Sequence, residues 1–370
     1  MKLKSLYRSA QAPIIAIAIA LAVSALALLV GGYNPGKAFS AMASKVGSVE
    51  SAALIVNKAV PIFLSGLAVS IGFRMGIFNI GVEGQYLLGA ALGGVVGAAV
   101  DLPGPLHVLI IVLTAMFFSM LWALIPAVLN VQKNVHIVIS TIMLNAIAVS
   151  VIAALSKTHW FITTAFRQTR PLKPSAFFPN LNTPLRWIGI HLPKGTQLFG
   201  FVIVAILVGV GYHILMGRTR FGFDIMATGI NPTAARFAGV NPKRTILVAM
   251  ALSGAIGGLI GMAGLLEDQH AYRVGEFPVG FGFAGIAVAL LGRGNVSGLA
   301  LSALLFGLLE RASLGLSNAK VPREFSAIMV GLLILTMVII YELTTRKVQA
   351  QAIKEASELL AKTHAEKVLA

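Results

Sequence analysis

The chain has 370 residues, of which 57% are apolar and only 11% are charged. Soluble domains are roughly a quarter charged, so the composition excludes a water-soluble globular fold and indicates a polytopic membrane protein. The apolar runs are continuous and rich in Gly, Ala, Leu, Ile and Val, without the alternation that barrel strands require. We therefore predict an all-α fold of membrane-spanning helices.

The formal net charge is +16, and the basic residues lie mostly in short loops between apolar runs. Membrane topology explains such an excess. No basic, aromatic-bearing soluble domain is present, so nucleic acid is not an expected partner. The chain has no cysteine, and its seven histidines show no metal-ligand spacing. A disulfide framework and a thiolate metal site are thereby excluded, and no metal or cofactor is predicted.

Ten apolar segments follow one another along the chain and predict about ten transmembrane helices. They cover roughly residues 13–31, 52–73, 83–100, 105–130, 135–154, 198–216, 243–265, 279–292, 296–314 and 325–343. The first follows a basic stretch, as in a signal peptide. Its apolar core is longer than the roughly 7–15 residues of a typical signal peptide, so we predict a retained helix.

Two places break the helical pattern. The eighth segment, 279–292, is short for a full span, and the sequence NIGVEG, 79–84, forms an irregular turn before the third segment. Non-helical backbone at membrane depth is tolerated only against protein or a wet cavity. We therefore predict one broken or re-entrant segment, and we expect both places to border a transport pathway.

Basic residues in the short loops predict the orientation. With an even number of spans they fall on the cytoplasmic side together with both termini: Lys2, Lys4, Arg8, Arg74, Lys133, Arg218, Arg220, Arg236, Lys243, Arg244, Arg293, Arg346 and Lys347. The loop 155–197 then faces outward although it is also basic, since long loops obey the rule weakly. It is either a lid or docking surface, or a plain connector.

The predicted organisation is a transmembrane domain over residues 1–344 and a cytoplasmic tail over 345–370. The domain contains the outer loop 155–197 and a cytoplasmic loop at 217–243. Leu and Ala spacing in the polar tail predicts a short amphipathic helix.

A glutamate, Glu83, lies at the start of the third apolar segment, close to Arg74, Asn79 and Gln85. A carboxylate is favoured near a helix N-terminus, where free N–H groups and the helix dipole meet it. Arg74 is a candidate ion-pair partner. On this interpretation Glu83 caps and orients a broken helix beside the pathway. The alternative is that it binds a solute hydroxyl directly, since intramembrane ionisable groups are functional candidates.

Further candidates for the pathway are Asn145 in the fifth segment and two aromatics, Phe281 and Phe283, in the short eighth segment. The rings have the shape to stack on a nucleobase or a sugar face, and they could equally face lipid or the core. Thr141, one turn before Asn145, is better explained as a hydrogen bond between helices.

The cytoplasmic loop contains two Asn-Pro steps, Asn231-Pro232 and Asn241-Pro242, separated by a short stretch of small residues. Thr233 can cap a helix of one to two turns, and Gly239 can end it in a left-handed conformation. Such a helix suits insertion into a groove on another protein. The alternative is a plain loop between helices.

Three stretches resemble permeases of ATP-binding-cassette importers, in the family that handles ribose, branched-chain amino acids and nucleosides. In chain order, the first stretch is MGIFNIGVEGQYLLGA. The second is GINPTAARFAGVNPKR followed by SGAIGGLIGMAG, and the third is GFGFAGIAVALLGRGNVSGLALSALLFGLL. These blocks keep the family's order and cover most of residues 60–310. FNIGVEGQ and GIAVALLGR are most similar to the nucleoside and simple-sugar branch.

The resemblance implies a non-enzymatic, multi-pass subunit of the bacterial inner membrane that translocates nucleosides or a simple sugar by alternating access. It implies cytoplasmic ATP-binding subunits, a second permease chain, an extracytoplasmic substrate-binding protein and the lipid bilayer as partners. The chain itself has no phosphate-binding GxxxxGK[ST] motif, so ATP hydrolysis is expected in a separate subunit.

The same resemblance makes residues 233–239 a coupling helix, with Ala234, Ala235 and Arg236 nearest the ATPase. The implied coupling residues are Asn231, Thr233, Ala234, Ala235, Arg236 and Gly239. The pathway residues predicted above, from their polar or aromatic side chains, are Asn79, Glu83, Gln85, Asn145, Phe281 and Phe283. An ion-coupled secondary transporter is the alternative function, and it requires an ionisable site at mid-membrane. Beyond Glu83, no carboxylate is predicted well inside a span.

Overall fold

The computed structural model describes residues 18–322 and scattered positions between 325 and 350. The tenth predicted segment, 325–343, lies largely outside the described residues, as do the first 17 residues and nearly all of the predicted tail.

The described chain is mostly helical. Its helices are α1 (Ala18–Val30), α2 (Pro35–Ala43), α3 (Val49–Arg74), α4 (Val82–Ala99), α5 (Gly104–Lys133), α6 (Ile137–Leu155), α7 (Asn182–Trp187), α8 (Phe201–Arg218), α9 (Arg220–Ile230), α10 (Pro232–Phe237), α11 (Pro242–Leu259), α12 (Phe281–Gly292) and α13 (Val296–Ser313). A π-helical turn, Gly264–Gln269, extends α11, and short 3₁₀ turns form at Pro174–Ala176 and Leu316–Ala319.

The predicted all-α class needs one correction, because the outer loop contains a small sheet. Strands β1 (Phe161–Thr163) and β2 (Arg167–Thr169) pair antiparallel. An isolated bridge joins Gln168 of β2 to Arg273, in the segment that follows α11. The outer loop is therefore attached through backbone hydrogen bonds to the stretch of chain that leads into α12.

Six described helices are long and apolar enough to cross a membrane: α3, α5, α6, α8, α11 with its π-helical extension, and α13 with the turn that follows it. They coincide with predicted segments. The third segment forms α4, whose 18 residues include Glu83 and Gln85. The eighth forms α12, which has 12 residues. At about 1.5 Å per residue α12 spans roughly 18 Å, well short of the ~30 Å hydrocarbon core.

Burial separates a central group of helices from a peripheral one. In the most apolar windows of α3 and of α11 with its extension, 72% and 67% of residues are buried, against 22% in α5 and 28% in α8. The outer side of α5 is apolar and exposed at three- and four-residue spacing: Leu106, Leu109, Leu113, Phe117 and Leu121. Lipid tails suit such a surface, whereas a soluble helix would present polar residues there.

The chain divides into two compact units, residues 45–311 and residues 1–44 with 312–370. In the smaller unit the rings of Tyr33 and Phe325 meet edge to face, with centroids 5.2 Å apart. The larger unit contains every predicted site residue.

Helices α5 and α11 approach closely because α11 presents glycines to α5. A Cβ built on Gly258 would lie 2.5 Å from the Ala115 carbonyl oxygen, and one on Gly254 would lie 2.5 Å from the Ala123 methyl. Small residues at helix crossings allow this kind of backbone contact in membranes.

We expect Gly258→Val to destabilise the chain, because the added side chain would push α11 away from α5. Overpacking of this kind costs about 1–3 kcal/mol or more. The measurement is the thermal unfolding temperature of the chain in detergent. The control is Gly211→Val in α8, where an added Cβ meets no atom within 4 Å. Equal melting temperatures for the two variants would contradict the role assigned to Gly258.

Candidate translocation site and coupling surface

The carboxylate of Glu83 caps the N-terminus of a different helix, α12. It accepts hydrogen bonds from the backbone N–H groups of Gly280, at 2.6 Å, and Gly282, at 2.7 Å. The Tyr86 hydroxyl lies 3.0 Å from the same carboxylate. Glu83 is 8% exposed and lies in the first turn of α4. One carboxylate therefore serves two helix N-termini, which explains how a charged group is accommodated here.

Two glycines make this contact possible. Gly280 has φ +95°, in the left-handed region that favours glycine. Gly282 touches the backbone of α4, since a Cβ there would lie 2.6 Å from the Glu83 nitrogen. The sequence GFGF at 280–283 thus reflects close approach of backbone to a carboxylate.

Arg74 does not pair with Glu83, and the predicted ion pair is wrong. The Arg74 guanidinium donates to the Gly294 carbonyl at 2.9 Å and lies 5.7 Å from the centre of the Tyr212 ring. Gly294 follows the C-terminal end of α12, where carbonyl groups lack helical partners. Arg74 and Glu83 therefore bind opposite ends of the same short helix, each with the charge that its end favours.

Asn79 and Gln85 form a buried amide network beside Glu83. The Gln85 amide donates to the Asn79 side-chain oxygen at 3.2 Å, and Asn79 donates to the Ser253 hydroxyl at 3.0 Å. Ser253 in turn donates to the Ala68 carbonyl at 2.7 Å. The network ties the turn before α4 to α3 and α11, so it satisfies polar groups that have no access to water.

Asn145 fixes the same turn from the side of α6. Its amide donates to the Ile80 carbonyl and its oxygen accepts from the Gly84 N–H, both at 2.9 Å. Thr141 is fully buried and donates to Val138 of its own helix, so the predicted bond between helices is not formed.

The two predicted aromatics have different environments. The Phe281 ring lies 6.0 Å from the Tyr86 ring, beside the Glu83 contact. Phe283 is 56% exposed. The structure therefore brings Asn79, Glu83, Gln85 and Asn145 together around the irregular turn with Phe281 adjacent, and leaves Phe283 on an open surface.

A second irregular stretch, residues 270–280, approaches Glu83 from the outer loop. Next to β2, the Thr169 N–H donates to the Tyr272 carbonyl at 3.0 Å and the Val274 N–H donates to the Arg167 carbonyl at 2.9 Å. Its other end is Gly280, held by Glu83. The two places where the sequence broke the helical pattern thus meet at one carboxylate.

Glu267, which was not among the predicted site residues, caps the N-terminus of α8 as Glu83 caps that of α12. Its carboxylate accepts from the backbone N–H groups of Gly200, at 2.5 Å, and Phe201, at 3.2 Å. Glu267 is 7% exposed and belongs to the π-helical turn. No local signal predicts this cap, because the capped residues lie 66 and 67 positions away.

The predicted short cytoplasmic helix exists as α10, with one correction to its start. The cap is Asn231, whose side-chain oxygen accepts from the N–H groups of Thr233 and Ala234 at 2.9 and 3.0 Å. Thr233 is therefore inside the helix and is not its cap. The left-handed ending at Gly239 is confirmed, with φ +82°.

The side chains of α10 differ sharply in exposure. Ala235 is 2% exposed and faces the rest of the chain, so it is wrong to place its side chain among those nearest a partner. Ala234 and Arg236 are exposed. Phe237 is 90% exposed and Ile230, just before the helix, is 86% exposed. No sequence pattern predicted the exposure of these two large apolar side chains.

Comparison with known proteins assigns this architecture to a family. Residues 51–338 match the family described as the permease component of branched-chain amino acid transport systems. The chain belongs to this family of ATP-binding-cassette permease subunits, which are multi-pass proteins of the bacterial inner membrane.

Three relatives are similar over most of their length. The guanosine ABC transporter permease NupP of Bacillus subtilis is 36% identical over 87% of this chain and 91% of its own. The nucleoside permease NupB of Lactococcus lactis is 29% identical, over 95% and 96%. The glucose permease TsgB13 of Haloferax volcanii is 32% identical, over 80% and 78%.

We expect Glu83→Gln to lower both stability and transport. A glutamine has one acceptor oxygen, so one of the two glycine N–H groups would face an NH₂ group and lose its partner. An unsatisfied buried donor costs about 1–3 kcal/mol.

The measurements are the thermal unfolding temperature in detergent and solute uptake by the assembled transporter. The control is Asp101→Asn, which removes an exposed carboxylate that pairs with Lys173 at 2.7 Å. A Glu83→Gln variant that matches the parent in both measurements would refute the capping role.

Proposed function

We propose that this chain is the permease subunit of an importer for guanosine or a related nucleoside, with a simple sugar as the alternative solute. The identity of 36% to a guanosine permease over nearly its full length supports the nucleoside. The glucose permease, 32% identical over less of the chain, supports the alternative.

In the proposed topology this chain has about ten spans, both termini in the cytoplasm, a transmembrane domain over 1–344 and a tail over 345–370.

The family implies ATP-binding subunits and a substrate-binding protein as partners. In our proposal two permease chains pair, ATPase subunits bind the cytoplasmic loop 217–243, and the binding protein delivers solute at the outer face near loop 155–197. The permease itself hydrolyses nothing.

The coupling proposal rests on two exposed apolar side chains that flank α10. Phe237, its last residue, and Ile230, just before its cap, are almost fully exposed. Large exposed aromatic residues of this kind are typical anchors of protein interfaces. We assign Phe237 as the anchor in the ATPase groove, with Asn231 and Gly239 shaping the helix that presents it.

A chain of contacts links α10 to α12, through which binding of the ATPase to α10 would displace α12. Gly229, at the end of α9, lies so close to the Arg74 carbonyl that no Cβ would fit. Arg74 in turn holds the C-terminal end of α12 through Gly294. A displacement of α10 by the ATPase would therefore reach α12, whose other end is bound to Glu83. This supports rigid-body alternating access, driven through one docked element.

The function is tested in proteoliposomes that contain the complete complex with its binding protein. We expect guanosine uptake to require ATP inside and the ATPase subunits, and to persist when a protonophore removes the proton gradient. Uptake that runs on a pH or sodium gradient without ATPase subunits would instead establish the ion-coupled transporter.

We expect Phe237→Ala to reduce ATP-driven uptake and solute-stimulated ATP hydrolysis by about tenfold or more, since interface anchors commonly contribute at least 2 kcal/mol. Membrane insertion should be normal, because the ring is exposed in the isolated chain. The matched control is Phe117→Ala, an exposed aromatic on α5. Equal activity of the two variants would exclude α10 as the coupling element. A charge at Ala235 is a poorer test, because that side chain is buried.

A further inference from the structure

Glu276 is a carboxylate without an assigned role so far, in a segment that packs beside the middle of α4. It belongs to the non-helical stretch between the π-helical turn and α12, next to Phe277. A Cβ built on Gly261 would lie 2.9 Å from the Ala90 methyl and 3.1 Å from the Phe277 ring. Ala90 is near the middle of α4, so Phe277 and its neighbour Glu276 lie at the depth of the middle of that helix.

Glu276 nevertheless faces an open surface. Its side chain is exposed, while the rings of Phe277 and Tyr272 are each only 4% exposed and stack on one another. Two further residues of this part of the chain are exposed, Val279 at 72% and Phe283 at 56%. The buried rings hold the segment in place and leave these three side chains free.

Within residues 18–322, no ion pair or hydrogen bond to the Glu276 carboxylate is found. An unpaired carboxylate that faces lipid tails is strongly unfavourable. The surface that contains Glu276 therefore faces water or a polar ligand, and this excludes a purely lipid-facing role for the segment. Non-helical backbone at membrane depth leads to the same conclusion, since it is tolerated where it lines a cavity.

We propose that Glu276 contacts the transported solute and accepts hydrogen bonds from two neighbouring ring hydroxyls. This rests on the proposed function. A carboxylate has two oxygens and only accepts hydrogen bonds, so it matches a vicinal diol such as the 2′,3′-diol of a ribonucleoside. Charge-assisted hydrogen bonds of this type are the stronger ones. Val279 and Phe283 provide the apolar surface against which a ring can pack.

The attachment of this segment at both ends supports a role in recognition. Backbone hydrogen bonds to β2 hold its outer end, and Glu83 holds its inner end. Glu276 is thus presented from a stretch with fixed ends, as a binding group must be if it is to distinguish between solutes.

The test compares guanosine with 2′-deoxyguanosine in proteoliposomes containing the complete complex. We expect the parent to prefer guanosine, and Glu276→Gln to raise the KM for guanosine by about tenfold or more. The increase should be smaller for 2′-deoxyguanosine, which offers the carboxylate only the 3′-hydroxyl. The parent and variant complexes contain the same substrate-binding protein. Its own preference therefore cancels when the KM values of the variant are divided by those of the parent. For a complex that takes up glucose and not guanosine, the pair is glucose and 2-deoxyglucose.

Asp101→Asn is the control, because Asp101 is a carboxylate at the outer end of α4 and should leave both KM values unchanged. A parent without preference, or a Glu276→Gln variant with the parent's ratio, would overturn the proposal for Glu276. ATP-dependent uptake would continue in either case, so the importer function would stand. If the parent showed gradient-driven, ATP-independent uptake and Glu276→Gln lost it, both the importer function and the solute contact would be overturned. Glu276 would then be an ion site.

Should Glu276→Gln fail to reach the membrane, Phe283→Leu tests the same surface. We expect the smaller side chain to raise the KM for both solutes by severalfold, since the ring that packs against them is lost. An unchanged KM for both solutes would count against the proposed contact surface.

Discussion

The arrangement depends on one short helix, α12, and on the two charged side chains that hold its ends. Twelve residues cannot cross the bilayer, so at least one end of α12 lies inside the helical bundle, where protein groups must satisfy the backbone. Glu83 accepts from the N–H groups at one end, and Arg74 donates to the carbonyl just beyond the other. The helix dipole favours these signs of charge at these ends. Arg74 and Glu83 flank a single irregular turn, so the turn and α12 stabilise one another.

Side chains from elsewhere in the chain satisfy two further helix starts. Glu267 accepts from the first N–H groups of α8, and Asn145 binds the Gly84 N–H in the first turn of α4 and the Ile80 carbonyl just before it. In each case a side chain from another helix supplies the partner that water would supply in a soluble protein. Most buried polar residues first assigned to the pathway are therefore occupied by protein groups, and the exposed ones are better candidates for solute contact.

These contacts connect the loop 155–197 with the region of α9 and α10. The outer loop pairs with the stretch that leads to α12, and α12 is bound through Arg74 to the region of α9 and α10. Both regions therefore contact the same short helix.

The sequence by itself determined the membrane class, six of the spans, the short eighth segment, the family and the existence of α10 with its glycine ending. These features rest on hydropathy, helix length and caps that form within four residues. The tertiary structure alone decided what Glu83 and Arg74 bind, since Glu83 reaches Gly280 across 197 positions. It also decided that Ala235 is buried and Phe237 exposed, and that the segment containing Glu276 packs beside the middle of α4. Such features depend on how helices are placed side by side, and an irregular segment has no periodicity from which its depth can be predicted.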